Sequence, residues 1–188
     1  MTWKPDSTGA KPFEPEMQLT TEIRSETAAD RQGIREVVTE AFNGSYEADL
    51  VDALRDDGAL AVSLTADQGG AIIGYIGFSR IRITGQCGTT TALALAPVAV
   101  HPEHQRKGIG AGLIRTGLSR ARVAGFDIVV VVGHADYYPR FGFKSARSHG
   151  IYCPFDVPDS AWLLVELEPG SASRHSGTVE YHAAFSKV

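Results

Sequence analysis

Cysteine is scarce in this 188-residue chain: Cys87 and Cys153 are all it has. Two thiols with no metal-ligand spacing argue against a disulfide framework and a zinc site, and they suit a reducing cytoplasm. Long hydrophobic runs are missing too. The run IVVVV at 128–132 falls far short of the roughly 20 residues a membrane helix needs. Charge of one sign is also lacking. Eighteen Lys and Arg face 22 Asp and Glu, a net charge of −4, which leaves no basic field for nucleic acid or a membrane surface. No internal repeat or low-complexity domain interrupts the chain. The opening residues MTWKPDSTGAKPFEPEM hold three prolines and no apolar signal-peptide core. They read as a flexible tail, 1–17, ahead of one domain, 18–188, long enough for a full core.

What is present centres on HPEHQRKGIGAGLIRTGL, residues 101–118, where Gly108, Gly110 and Gly112 follow Arg106 and Lys107. Ala111, Ile114, Leu118 and Ala121, with Ile109 and Leu113 on a neighbouring row, give the period of an amphipathic helix over 108–124. Its start has no Ser, Thr, Asp or Asn to cap it. The first amides of a helix have no internal partner and carry partial positive charge. Glycines expose that backbone and two cations stand beside it, so the loop reads as an anion site, most simply for phosphates. A plain glycine-rich turn is the competing reading.

The helix lies between two strands. TALALAPVAVHP before it is apolar and partly alternating, and GFDIVVVVG after it suits a strand covered on both faces. A right-handed crossover makes the two parallel. Two phosphate motifs fail here. A Walker loop needs its lysine after the second glycine, but Lys107 precedes Gly108. A dinucleotide fingerprint needs a third glycine where Leu113 stands, and an acid near the end of the next strand, whereas Asp127 is at its start.

The remaining elements follow from patterning. LTTEIRSE is a first strand, and Thr27 with Asp30 forms a capping box. Ile34, Val37, Val38, Ala41 and Phe42 make a buried helical stripe. Ser45 caps a second helix whose Leu50, Ala53 and Leu54 face inward. ALAVSLTA turns at DQGG into AIIGYIGFSRIRI as an antiparallel pair. Strands at 89–100 and 127–132, a short helix near 136–141, and strands at AWLLVELE and TVEYHAAF complete a mixed sheet in an α/β layered domain. Pro97 breaks an otherwise good central strand, either as a bulge or as the point where two strands part.

Gln105, Gly108 and Gly110 match Q/R-x-x-G-x-G/A. On these residues the chain resembles the GNAT superfamily of acetyl-CoA-dependent N-acetyltransferases, and within it the small bacterial-type members. APVAVHPEHQRKGIGAGLI is similar to that family's fourth strand, pyrophosphate loop and third helix. GHADYYPRFGF, 133–143, is similar to its next helix with the Y-x-[RK]-[LF]-G-F ending, and VEYHAAF, 179–185, to its C-terminal strand. The likeness runs from Thr20 to the C-terminus. It implies an α/β fold: a mixed, largely antiparallel twisted sheet with a β-α-β acetyl-CoA-binding core, flanked by helices. It implies acetyl-CoA as cosubstrate, no metal, and transfer of the acetyl group to a primary amine by direct attack in a ternary complex. The acceptor is a small molecule or a protein amine, and a homodimer stays open.

The resemblance also distributes the roles. Val98, Ala99 and Val100 lie on a strand that splays at Pro97 and pairs with the pantetheine arm as an added strand would. Gln105, Arg106, Lys107, Gly108, Ile109, Gly110 and Ala111 hold the pyrophosphate, with Tyr137 and Arg140 beside the cofactor. The amide of Val98 stabilises the oxyanion, and Tyr138, which holds the family's register to Arg140 and Gly142, protonates the departing thiolate; Tyr137 is one residue out of register. The base is missing, because GTTTALALAPV contains no titratable side chain. Glu47 is the first candidate and His134 the second, with a water relay as the alternative. Asp49, Asp52 and Asp56 share a helix face, either as an attractor for a cationic acceptor or as a solvated acidic surface. Cys153 has no Cys–His partner to make it a nucleophile. Two other classes stay in view: a non-catalytic acyl-CoA sensor and a nucleotide binder.

Overall fold

The protein, as a computed structural model, is described over residues 20–86 and 88–186. The expected tail at 1–17 and Cys87 lie outside those residues. The chain runs β1 (Thr21–Ser25), α1 (Arg31–Phe42), α2 (Tyr46–Asp56), β2 (Leu60–Gln68), β3 (Ala71–Gly85) and β4 (Gly88–Val100), then α3 (Ile109–Val123), β5 (Ile128–Val132), β6 (Lys144–Ser145), β7 (Ile151–Tyr152), β8 (Trp162–Glu166) and β9 (Gly177–Glu180).

These strands form one open sheet in the order β1-β2-β3-β4-β5-β8-β6. Every pairing is antiparallel except β4 with β5 and β7 with β9. β9 joins β3 at Arg82–Thr84, past Ser79 where β2 has ended. The mixed, mostly antiparallel sheet flanked by helices agrees with the expectation from sequence.

The IVVVV run is covered on both faces, as its continuity implies. Val129 and Val131 pack with Leu113, Ile114 and Ala121 of α3, while Ile128 and Val130 pack with Ala146, Ile151, Ala172 and Val179. The second cover is made by loops and short strands and not by a helix. Ile34, Val37 and Val38 of α1 close the sheet over Tyr75 and Ala99. Each fully buried Leu, Ile or Phe in these layers contributes about 1.5–3 kcal/mol.

Helix starts follow their local chemistry. The Thr27 amide donates to the Asp30 carboxylate at 2.6 Å, the reciprocal half of the expected capping box, and a short 3₁₀ turn over 28–30 leads into α1. Arg24 forks onto Asp30 at 2.7 and 2.9 Å and reaches Asp67 at 2.7 Å, tying β1, β2 and α1 together. Its guanidinium holds Asp30 well below the usual carboxylate range.

Four expectations need correction. Ser45 does not cap α2 with its side chain; its hydroxyl donates to Asp49 at 3.0 Å. Phe42 is 42% exposed instead of buried, because α1 ends there and Asn43 turns left-handed. The helix near 136–141 is a 3₁₀ turn, Tyr138–Phe141, cut short by Gly142. TVEYHAAF is strand only to Glu180 and closes as a 3₁₀ turn, Ala183–Ser186. Among the described residues no helix is long and apolar enough to cross a membrane.

Candidate active site

The sheet opens where Pro97 stands. β4 and β5 pair through Leu93↔Val129 and Ala94↔Val130 and no further, while β4 continues along β3 to Val100. The Ala96–Pro97 bond is cis. Beyond Pro97 the direction of each peptide can be read. The His101 amide donates to the Ile73 carbonyl at 3.0 Å, so Ala99 likewise turns its peptide groups toward β3. Val98 and Val100, between them in alternation, turn theirs into the gap. The Gln105 side-chain amide donates to the Val100 carbonyl at 3.1 Å and fixes the loop against the strand.

Two cavities meet at this gap. The first, about 680 Å³, runs past Val98 and Val100 to Gln105, Arg106, Gly108, Ile109, Gly110 and Ala111, with Tyr137 and Arg140 alongside. The second, about 580 Å³, takes in Glu47, Leu95, Ala96, Pro97 and Val132 and a set of aromatic side chains. Val98, His134 and Tyr138 border both.

The loop is built as its sequence requires. Gly108 is the helix N-cap at φ +87°, a left-handed conformation that favours glycine, and no side chain caps the helix. The first helical bond runs from the Gly112 amide to the Gly108 carbonyl at 2.9 Å. The amides of residues 109 to 111 precede it and have no partner in the helix. Arg106 and Lys107 are exposed and form no ion pair among the described residues. The Tyr137 hydroxyl lies 3.4 Å from where a Cβ on Gly110 would stand, and Arg140 sits 4.5 Å over the Tyr137 ring.

Tyr138 is buried at the junction, 6% exposed. A Cβ on Gly133 would come within 2.1 Å of its ring, so only glycine lets the ring lie against the end of β5. Its edge-on neighbours are Tyr137 at 5.4 Å and Phe143 at 5.3 Å. The phenol makes no hydrogen bond among the described residues, and its burial, then the neighbouring Tyr137, push it up to about 12. It therefore remains protonated, as a donor, across the neutral range.

Of the candidate bases, Glu47 is half-buried in the second cavity and makes no hydrogen bond or ion pair among the described residues. His134 is exposed at the junction, and its carbonyl accepts the amides of Tyr137 and Tyr138 at 3.0 and 3.3 Å. The other α2 acids are engaged elsewhere. Asp49 and Asp52 pair with Arg35 at 2.6 and 2.8 Å, Asp52 also with Arg55 at 2.6 Å, and Asp56 pairs with Arg31. Burial pushes the Cys153 thiol up, opposite to what a nucleophile needs.

Two residues expected at the cofactor lie elsewhere. Ala99 packs beneath α1 with its peptide groups on β3, and the exposed Lys107 lines neither cavity. His104 lines the first cavity without having been singled out. The aromatic wall was also missed. Among the described residues no cluster of His, Cys, Asp and Glu could hold a metal ion.

A family profile described as the acetyltransferase (GNAT) domain matches residues 22–146. The chain belongs to the GNAT acetyltransferases. As a GNAT protein it is an acyltransferase by class. It is 41% identical to the uncharacterized N-acetyltransferase YjhQ of Escherichia coli K12 over 145 residues, which is 74% of this chain and 80% of that one. It is 33% identical to the uncharacterized N-acetyltransferase YhbS of the same strain, over 88% of this chain and 98% of that one. The crystal structure of Escherichia coli YhbS in complex with CoA superposes with a TM-score of 0.84 at 32% identity, covering 89% of this chain and 93% of that one. A GNAT acetyltransferase from Brucella melitensis in complex with acetyl-CoA gives 0.74 at 36% identity, covering 88% and 98%. The GNAT profile ends at residue 146, so Phe155, Val157, Tyr181 and Phe185 of the second cavity lie beyond it.

Proposed function

We propose that this protein transfers an acetyl group from acetyl-CoA to a primary amine by direct attack within a ternary complex, using a single domain over 18–188. The observation that carries this reading is the meeting of two cavities at Val98, His134 and Tyr138. A thioester at that junction is reached by cofactor from the loop side and by amine from the other. Related proteins solved with CoA and acetyl-CoA support the choice of cofactor.

The loop amides and Arg106 suit the pyrophosphate, and the peptide groups of Val98 and Val100 suit the pantetheine amides. The amine nitrogen attacks the thioester carbon, and the C–N bond forms as negative charge moves onto oxygen. The Val98 amide, turned into the gap, is the donor for that oxyanion. The C–S bond then breaks and sulfur takes the electron pair. Tyr138 donates its hydrogen to the sulfur. Its raised pKa favours holding the thiolate by a hydrogen bond, the proton finally being made good by the one the nitrogen sheds. Glu47 takes a proton from the arriving ammonium, directly or through water.

The test is CoA release measured across a panel of amines, beside acetyl-CoA binding by calorimetry. Binding with release that depends on an amine supports transfer. Acetyl-CoA binding without release for any amine would return the protein to the class of acyl-CoA sensors.

A further inference from the structure

Among the described residues six large apolar side chains are exposed: Phe42, Tyr46, Val123, Val132, Tyr152 and Phe155. Four of them, Phe42, Tyr46, Val132 and Phe155, line the second cavity. Apolar surface gathered into one concavity marks a ligand site, and about 580 Å³ lies within the range of small-molecule pockets. One wall is an ordered aromatic row: Phe155 packs on Tyr181 at 4.9 Å, and Tyr181 on Phe185 at 4.7 Å.

The charges around the cavity are as informative as its surface. Among the described residues no lysine or arginine lines it, and Glu47 is its one carboxylate. Asp49, Asp52 and Asp56, the other acids of α2, are already paired with arginines. One free carboxylate matches one ammonium. An α-amino acid would bring a carboxylate into an apolar pocket where, among the described residues, the exposed His134 at the junction is the one basic side chain. A polyamine would bring more positive charge than the pocket can balance and would leave the aromatic row uncovered.

Resting on the transferase reading above, we infer that the acceptor is a monoamine on an aromatic or similarly bulky apolar group, without a carboxylate: an arylalkylamine in chemical class. The ammonium is drawn by Glu47 toward the junction with Tyr138, and the apolar group lies against Phe155, Tyr181 and Phe42.

Steady-state acetylation of 2-phenylethylamine, phenylalanine, putrescine and a short peptide with a free N-terminus tests this. The expected order puts phenylethylamine first by about tenfold or more in kcat/KM, since phenylalanine differs from it only by the buried carboxylate. In Phe155→Ala, at the exposed rim and outside the core, KM for phenylethylamine rises about tenfold, KM for ethylamine changes less than about twofold, and the acetyl-CoA dissociation constant holds. Faster acetylation of phenylalanine, putrescine or the peptide overturns the inference and leaves the transferase reading standing, as does an equal change in both KM values in Phe155→Ala. Tight acetyl-CoA binding with none of the four acetylated, while another amine of the wider panel is, overturns the inference alone; no release with any amine removes both.

Discussion

One cavity is walled mainly by the nearly consecutive residues 104–111 and the strand that leads into them, with 134–140 alongside; the other by five separate stretches, 42–50, 95–98, 132–138, 155–157 and 181–185. The role proposed for the first is to hold a phosphate-bearing arm, which peptide amides can do with little demand on most of the side chains. The second, proposed to fit one acceptor, is made of side chains that can change independently. The difference also explains the chemistry at their boundary. Tyr138 and Val98 face both cavities, so on the proposed mechanism the reacting groups stand where a common cofactor meets a particular amine.

Replacing the shared residue is expected to have the largest effect. Tyr138→Phe removes one oxygen and leaves the ring on Gly133, so kcat is expected to fall about 10²-fold at saturating acetyl-CoA while its dissociation constant stays within a few-fold. Tyr137→Phe, on the loop side, should be milder in kcat. The reverse ranking would move the acid role to Tyr137.

A loop change should separate the two cavities cleanly. Gly110→Val places branches between Val100 and the Tyr137 hydroxyl, into the first cavity. Acetyl-CoA affinity is expected to drop more than about tenfold, by steric loss of an anion site of this kind. Thermal unfolding should shift little. Wild-type affinity in a folded variant would remove the phosphate assignment.

On the other side, Glu47→Gln should lower kcat/KM for the amine about tenfold and change its pH profile, with acetyl-CoA binding unaltered. An unchanged pH–rate profile would make Glu47 a solvated carboxylate at the start of α2.

The smallest effect expected is on stability, far from both cavities. Asp30 and Asp67 are held below the ordinary carboxylate range by Arg24. A depressed folded-state value adds stability above the unfolded carboxylate value, near pH 4, and that stability is lost as pH falls through the folded value. Asp30→Asn should cost about 2 kcal/mol at pH 7, measured by urea unfolding, and the difference from wild type should shrink at pH 3. A cost independent of pH would place the effect in packing.

The loop cavity was legible because its signals are local: Gly108 and Gly110, the missing cap and Pro97 lie within fifteen residues. The period of α3 and the doubly covered β5 were readable for the same reason. The aromatic row was not. Phe155 and Tyr181 are separated by β8, β9 and the turns around them, and no spacing announces that β9 will run along β3 where β2 stops. Phe42 misled because it continues the stripe of Ile34 and Val38, yet the helix ends there and its ring turns to the cavity. The choice between Tyr137 and Tyr138 rested on resemblance alone. What distinguishes them physically is the bare backbone at Gly133, against which the Tyr138 ring lies.

That bare position acts as a depth gauge. The Tyr138 ring rests on the main chain of Gly133, so how far its oxygen reaches into the junction is set by the thickness of a peptide. A single methyl there would lift the acid by a distance comparable to a bond length. On the proposed mechanism, the spacing between proton and sulfur is thus written at a residue that has no side chain with which to touch either.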